Sequence, residues 1–284
     1  MPELPEVETM RRGIAAVVGS RIVEVDRPRI RRRPILISPT GAALRRRLIG
    51  RAITATDRLG KRVVARLDSG DSIIFEPRMT GLVLLADPPT REHLRLRLFL
   101  ESPKPPRNME LLFWDRRGLG LVRVVSQAEL AERYGPEKLG IDALVISADE
   151  LGERLSTSRR AIKVALLDQR AVAGIGNLYA SEILHLSAIH PAIACNRLRD
   201  DDWRRLHKAI LSVLTKAIRY EGSTLSDGTY RNALNEQGGY QNHHRVYDRA
   251  GQPCPACKTE IVRVVQAQRS TFFCPVCQPR KRKK

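Results

Sequence analysis

The sequence predicts an α+β protein: one short helix leads into a β-rich first half, followed by a helical second half that ends in a metal-clamped hairpin. Three observations carry this prediction. Residues from about 21 to 125 alternate apolar and polar with a period of two, broken by Gly, Pro and Asp. From Ala161 onward apolar residues recur at helical spacing, and four of the five cysteines form two Cys-x-x-Cys pairs near the C-terminus. At 284 residues the chain can hold two domains with cores of their own. Fifty Lys and Arg against 31 Asp and Glu leave a net charge of +19, which attracts a polyanion and makes its binding depend steeply on salt. Ribosomal and membrane-surface proteins share such a balance, so the charge fixes the sign of the partner and not its identity. No apolar run reaches membrane-spanning length, and charges stand where a signal peptide would be apolar, which predicts a cytoplasmic protein.

The first helix is expected from about Pro5 to Val18, with Pro5 at its first position and Glu6 and Glu8 complementing the positive end of its dipole. The residues just before it also support a chemical reading. Removal of the initiator methionine would leave Pro2 as a secondary amine beside Glu3 and Glu6. An α-amine titrates about two units below a lysine ammonium, so a useful fraction is nucleophilic at neutral pH. A secondary amine attacking an aldehyde-like carbon must give a charged iminium, an electron sink for elimination, and a neighbouring glutamate can carry the protons.

Strands come next. Arg62-Val63-Val64-Ala65-Arg66-Leu67 and Ser72-Ile73-Ile74-Phe75 are examples, with Lys61 in the turn that precedes the first. Met79, in Glu76-Pro77-Arg78-Met79-Thr80-Gly81, reads by itself as a plain core methionine. The pattern changes near Tyr134-Gly135-Pro136, and residues 206–214 form the clearest amphipathic helix. Gly174-Ile175-Gly176 precedes a helical pattern at residues 180–184, where glycines allow a backbone to approach an anion, although Gly-x-Gly alone is a weak signal. Arg159, Arg160 and Lys163 lie just upstream and read as a basic face.

Cys254-x-x-Cys257 and Cys274-x-x-Cys277, sixteen residues apart, fit one structural zinc ion in a four-thiolate tetrahedron, with disulfides or a redox dithiol as the competing readings. Cys195 stands apart as a buried apolar residue. Residues 261–265 and 270–273 read as two strands, and Arg269 between them can present a planar fork to a phosphate. The tail Arg280-Lys281-Arg282-Lys283-Lys284 is a like-charge block expected to be disordered and to touch phosphates loosely.

Pro2-Glu3-Leu4-Pro5-Glu6-Val7-Glu8-Thr9, followed by Arg11-Arg12-Gly13, closely resembles the start of the formamidopyrimidine-DNA glycosylase family (Fpg, also called MutM). Gln268-Arg269-Ser270-Thr271 with Cys274-Pro275-x-Cys277-Gln278 is similar to the zinc-finger end of the same family, and the segment from Leu166 to Pro191 looks like its helix-two-turn-helix. The resemblance spans nearly the whole chain. It implies an N-terminal catalytic β-sandwich flanked by helices at 1–134, a helix-two-turn-helix domain at 135–248, and a four-cysteine zinc finger with basic tail at 249–284. DNA would lie in the basic cleft between the domains.

The implied activity is that of a monomeric bifunctional DNA glycosylase and abasic-site lyase of base excision repair, associated with the nucleoid. Its substrate would be double-stranded DNA carrying oxidised bases or abasic sites, with oxidised purines excised. In that family the residues matching Pro2, Glu3, Glu6, Lys61 and Arg269 are catalytic. Met79 matches the residue that fills the gap left by the flipped nucleotide, Arg117 the arginine facing the orphaned base, and Asn177 a contact to the DNA backbone. Arg159 and Lys163 are placed on the same DNA-contacting side. The pattern departs at Gly118, which replaces a second arginine, at Leu119, which replaces a wedge phenylalanine, and at Arg91, which falls where a histidine is common. The segment within Ser223 to Tyr240 is expected to hold a mobile lesion-recognition loop. A sister branch specific for oxidised pyrimidines and a catalytically weak damage-binding protein are the alternatives; Leu4-Pro5-Glu6 favours the purine branch.

Overall fold

The computed structural model describes residues 1–29 and 33–280 and comprises two compact units. The first is Met1–Gly135 with Tyr220–Gly239, and the second is Pro136–Arg219 with the chain from Tyr240 onward. The first long segment ends one residue past the boundary read at 134, and Tyr220–Gly239, which the sequence reading places in 135–248, belongs to the first compact unit. All of the basic tail beyond Arg280 lies outside the described residues.

The first unit starts with helix α1 (Leu4–Gly13), which places Val7 and Met10 on one buried stripe that Ile14 extends at the helix cap. The helix is shorter than the sequence predicts. A Cβ on Gly13 would come within 2.4 Å of the Ala233 Cβ, so the helix ends where the 220–239 segment crosses it and the chain continues as a 3-10 turn over Ala15–Val17. Strands β1 (Arg21–Asp26) and β2 (Leu36–Ser38) follow, then helix α2 (Gly41–Leu48) and strands β3 (Ile53–Leu59), β4 (Arg62–Leu67), β5 (Ser72–Glu76) and β6 (Gly81–Leu84). Strands β7 (Leu94–Glu101), β8 (Asn108–Asp115) and β9 (Leu121–Val125) and helix α3 (Gln127–Tyr134) complete it. Helix α2 interrupts the strand-like region unannounced, because its three consecutive arginines mask an apolar stripe of only Leu44 and Leu48.

The strands form two sheets, ordered β1-β7-β8-β6 and β2-β9-β5-β4-β3, and one apolar core takes residues from both. That is the predicted sandwich. Strands β4 and β5 are apolar on both faces for a reason. Val63, Ala65, Ile73 and Phe75 enter the main core, whereas Val64 and Ile74 meet Val125 and the half-buried Leu130 and Tyr134 of α3 on the other side.

The second unit contains the two-residue strands β10 (Ile141–Asp142) and β11 (Val172–Ala173), helices α4 (Ala148–Leu155), α5 (Ile162–Leu166), α6 (Asn177–Leu186) and α7 (Asp200–Arg219), and the hairpin β12 (Val262–Gln266) and β13 (Arg269–Phe273). Helix α7 buries Trp203, Leu206, Ile210, Val213, Leu214 and Ala217, as its spacing predicts. The hairpin turns through Ala267 and Gln268, both with positive φ (44° and 61°), the conformation that suits the twist of two antiparallel strands. Among the described residues no helix is long and apolar enough to cross a membrane.

Candidate functional site

Pro2, Glu3 and Glu6 are all buried at the start of α1, with the two glutamates each only 3 % exposed. Burying a carboxylate is costly unless its oxygens find donors. Glu6 has one on each oxygen: the Glu3 N–H donates to Oε2 at 2.9 Å and the Ser223 N–H donates to Oε1 at 2.9 Å. Gly222 makes this approach possible. It has φ +78°, and a Cβ there would come within 2.8 Å of Glu6 Oε1. Tyr230, whose hydroxyl donates to the Glu221 carbonyl at 3.0 Å, is buried beside them, and burial pushes its pKa well above the ordinary value. The 220–239 segment is thus anchored on the N-terminal helix through Ser223, Tyr230 and Ala233, whose carbonyl accepts from Leu85 N–H at 2.9 Å. Its Gly, Ser and Asn content predicts mobility, but local composition carries no information about these distant partners.

Lys61 follows Gly60 (φ +58°) in the β3–β4 turn, half-buried. That turn is braced from α1. Arg58 Nε donates to Glu8 Oε2 at 3.3 Å and its Nη1 donates to the Gly60 carbonyl at 3.1 Å. Burial opposes ionisation of Glu8, but Arg11, Arg12 and Arg58 outweigh it and hold its pKa below the usual carboxylate range. The helix that carries Glu3 and Glu6 on its first turn therefore also fixes the turn that carries Lys61.

Met79 is 37 % exposed at the β5–β6 turn, beside Arg78 with φ 52°. Met79 is therefore not a core residue. Arg117 is exposed and Leu119 half-buried in the β8–β9 turn. Gly118 between them has φ +63°, and a Cβ there would come within 2.5 Å of the Arg33 carbonyl oxygen, so this backbone requires glycine. Arg91 is exposed in a short turn over Arg91–His93, while His93 is buried with its ring edge-on to Trp114 at 5.4 Å.

In the second unit the four cysteines come together, with all four Sγ atoms within 4.8 Å of one another. Cys254 and Cys277 are 3.8 Å apart and Cys257 and Cys274 3.4 Å apart. A tetrahedron with Zn–S of about 2.3 Å has S···S edges of roughly 3.8 Å, so the donor set fits zinc in both chemistry and size. His185 Nε2 lies 3.4 Å from Cys254 Sγ, within reach of a hydrogen bond to that ligand, and burial with nearby Arg245 and Arg249 lowers its pKa to about 4. Gln278, fully buried, bridges the second knuckle to the helical body: its Oε1 accepts from Cys274 N–H at 3.0 Å and its Nε2 donates to the Ile189 carbonyl at 2.8 Å.

Arg269 begins β13 and is exposed. Its neighbour Ser270 is gripped twice, by Lys163 Nζ at 2.9 Å and Asn177 Nδ2 at 3.0 Å, both donating to the Ser270 carbonyl. Lys163 also donates to Thr271 Oγ1 at 2.7 Å and is only 1 % exposed, so it does not belong to the basic surface that the sequence suggests. The Asn177 Oδ1 is buried without a hydrogen-bond partner among the described residues. Arg159 is exposed. Sequence reasoning missed Glu182, which is fully buried and accepts from the N–H groups of Arg245, Val246 and Tyr247 at 2.8–2.9 Å; burial raises its pKa against those three bonds. A lone carboxylate within the apolar run of α6 was the available signal.

Three family profiles match successive parts of the chain: the formamidopyrimidine-DNA glycosylase N-terminal domain at residues 1–122, the H2TH domain of the same glycosylase at 139–229, and a zinc finger found in Fpg and isoleucyl-tRNA synthetase at 251–280. A formamidopyrimidine-DNA glycosylase of Chloroflexus aggregans is 41 % identical over 287 residues, covering 98 % of each chain. Among solved structures, the MutM (Fpg) protein of Thermus thermophilus is 36 % identical with a TM-score of 0.83, covering 98 % of each chain. An Fpg variant of Lactococcus lactis in complex with Fapy-dG-containing DNA is 32 % identical with a TM-score of 0.87, covering 98 % of this chain and all (100 %) of that one.

Proposed function

This chain belongs to the formamidopyrimidine-DNA glycosylase family, and on that premise we propose that it is a bifunctional glycosylase and abasic-site lyase that removes oxidised purines, 8-oxoguanine and formamidopyrimidines, from double-stranded DNA. The observation that carries this reading is the buried Pro2-Glu3 start of α1, held by Glu6 between the Glu3 and Ser223 N–H groups. Once methionine is removed, the Pro2 nitrogen attacks C1′ of the flipped nucleotide. The glycosidic bond breaks and the base leaves with a proton. Opening of the sugar gives an iminium between the Pro2 nitrogen and C1′, with Glu3 supplying the proton to the ring oxygen. Loss of a C2′ proton expels the 3′ phosphate, a second elimination expels the 5′ phosphate, and water releases the sugar remnant from the protein.

Glu6 keeps the nucleophile in place, and Lys61 and Arg269 neutralise phosphate during elimination. Met79 and Leu119 fill the space left by the extruded nucleotide, and Arg117 faces its orphaned partner. Arg91, Arg159, Asn177 and Lys163 serve the DNA contact, the last two by setting the strand next to Arg269. Zinc, held by Cys254, Cys257, Cys274 and Cys277, fixes the hairpin. The nucleophile and its glutamates belong to residues 1–134, which also carry Met79, Arg91, Arg117 and Leu119 to the duplex; residues 135–248 and 249–284 bind DNA and supply Arg269, and the protein works as a monomer at the nucleoid.

Borohydride trapping on a duplex with 8-oxoguanine opposite cytosine, beside an oxidised-pyrimidine duplex, tests this. A crosslink on the purine lesion that maps to Pro2 is expected. Trapping on the pyrimidine lesion alone would move the chain to the sister branch. Tight binding with no adduct, the N-terminus being confirmed as processed, would make it a damage-binding protein.

A further inference from the structure

Strands β6 and β8 are neighbours, and their register pairs Gly81 with Asp115. This brings two turns side by side at one end of the sheet, the Met79 turn that leads into β6 and the Arg117–Leu119 turn that leaves β8. A buried polar cluster lies beneath them. Asp115 is 0 % exposed and Thr80 3 % exposed. The Thr80 hydroxyl donates to Asp115 Oδ1, the Arg117 N–H is shared between Thr80 Oγ1 at 3.0 Å and Asp115 Oδ1 at 3.2 Å, and the Gly120 N–H donates to Oδ2 at 2.7 Å. The main chain is held as well, since buried Arg95 donates from Nε to the Asp115 carbonyl at 2.8 Å.

Each turn is also tight by itself. A Cβ on Gly81 would come within 2.6 Å of Pro77 Cα, and one on Gly120 within 2.8 Å of the Phe113 ring. The Gly81 N–H donates to the Pro77 carbonyl at 2.9 Å. The first turn therefore closes on its own backbone and the second on Asp115. The Thr80 side chain ties one to the other by hydrogen bonds, and a buried carboxylate this fully bonded rigidifies whatever its partners carry. What they carry is an exposed methionine, an exposed arginine and a half-buried leucine.

We propose that Thr80 and Asp115 form a latch that makes Met79 and the Arg117–Leu119 turn a single rigid wedge, so that both tips enter the duplex together; these are positioning residues for nucleotide extrusion. The proposal rests on the glycosylase reading above. Two separately mobile tips would each lose order on inserting into the stack, whereas a latched pair has lost that freedom on folding. The latch therefore matters where a stacked base must be displaced and matters little where the base is already gone.

The test uses the full-length zinc-loaded protein with Thr80→Val, which removes the hydroxyl and keeps the shape, and Thr80→Ser, which restores the hydroxyl. Two readouts are taken: the rise in fluorescence of 2-aminopurine placed beside the base opposite 8-oxoguanine, followed within the first turnover before the base is released, and the ratio of 8-oxoguanine excision to cleavage at a preformed abasic site. Thr80→Val should blunt the fluorescence rise and lower the ratio about tenfold, the scale of one lost hydrogen bond, with Thr80→Ser near wild type. Coupling between Met79→Ala and Leu119→Ala, measured in a double-mutant cycle on the fluorescence signal, should vanish in the Val background. A Thr80→Val protein with unchanged signal, ratio and coupling overturns the latch alone, as does an equal loss on both substrates, which would mark a general structural role. Wild-type protein that binds the duplex yet leaves the dye dark refutes the wedge reading and the latch together. If Thr80→Val melts too low to assay, Thr80→Ala and the Ser variant carry the same comparison.

Discussion

The N-terminal cluster of the first unit and the zinc hairpin of the second hold reactive side chains by opposite means. In the first, buried carboxylates do it. Glu6 accepts a backbone N–H brought from the distant 220–239 segment, and Asp115 accepts the Thr80 hydroxyl from the neighbouring turn with two backbone N–H groups of its own, in a unit whose sheets share a large apolar core. In the second, strand β12 is almost wholly exposed and the local apolar cluster consists of Val246, Cys254, Ile261, Phe272 and Cys274, two of which are themselves ligands. So small a cluster cannot offset the entropy of ordering the loop, and a metal must supply the difference. The contrast teaches that a segment crossing a large shared core can be fixed by hydrogen bonds alone, whereas a hairpin with so small an apolar cluster of its own needs an ion as well as the bonds from Lys163, Asn177 and Gln278.

The largest effect that would sharpen this contrast is on the metal side. Cys254→Ser, or prolonged chelation, should abolish zinc binding measured by atomic absorption and unfold the hairpin, weakening DNA binding by about 10- to 100-fold at fixed salt, while amides of the sandwich stay protected from hydrogen exchange. Full zinc content in the Ser variant would refute the four-thiolate site, and loss of protection in both units would break the comparison itself.

The carboxylate side is probed next by Glu6→Gln. One amide N–H₂ must then face a backbone N–H, Glu3 or Ser223, and leave it without an acceptor, so stability should fall by about 1–3 kcal/mol in urea melts with zinc content unchanged. An unchanged midpoint would mean that the glutamate is held by something else. Lys163→Met makes a smaller change of the same kind in the second unit. The ammonium bonds to the Ser270 carbonyl and Thr271 Oγ1 disappear but the stem volume stays, and about 1–2 kcal/mol should be lost. Zinc should remain bound and Arg269-dependent strand cleavage should drop more than base release. Equal loss of both activities would deny Lys163 a role in placing β13.

The smallest effect is a pH dependence confined to the first unit. Glu8 has a folded pKa below its ordinary 4.5, so its ionisation stabilises the fold above that value and the contribution is lost as the pH falls through the folded pKa. Melting temperature should therefore drop below about pH 4.5 and the drop should shrink in Arg58→Met, which removes one partner of the carboxylate. An identical pH profile in that variant would show that Glu8 does not need Arg58.

Several features were legible from sequence because they are local. Residues three or four apart share a helix face, residues two apart share a strand face, and paired cysteines in a tight turn face one ion; these rules identified α1, strands β4 and β5, α7 and the four zinc ligands directly. They also left errors where the local signal was weak, at the two-residue stripe of α2 and at the end of α1. Gly118 departs from the arginine that the resemblance leads one to expect, and the backbone explains it through the close approach of the Arg33 carbonyl.

By itself, then, the sequence determined that the first half is built of strands, that α1 and α7 are helices and which four cysteines come together. Only the tertiary structure decided what holds them. Glu6 meets Ser223 across 217 positions, Lys163 meets Thr271 across 108, and Thr80 meets Asp115 across 35. Such pairs leave no periodic trace, because the free energy of a buried carboxylate or ammonium depends on which donors and acceptors reach it in space, and those are chosen by how the sheets and helices pack rather than by their own spacing.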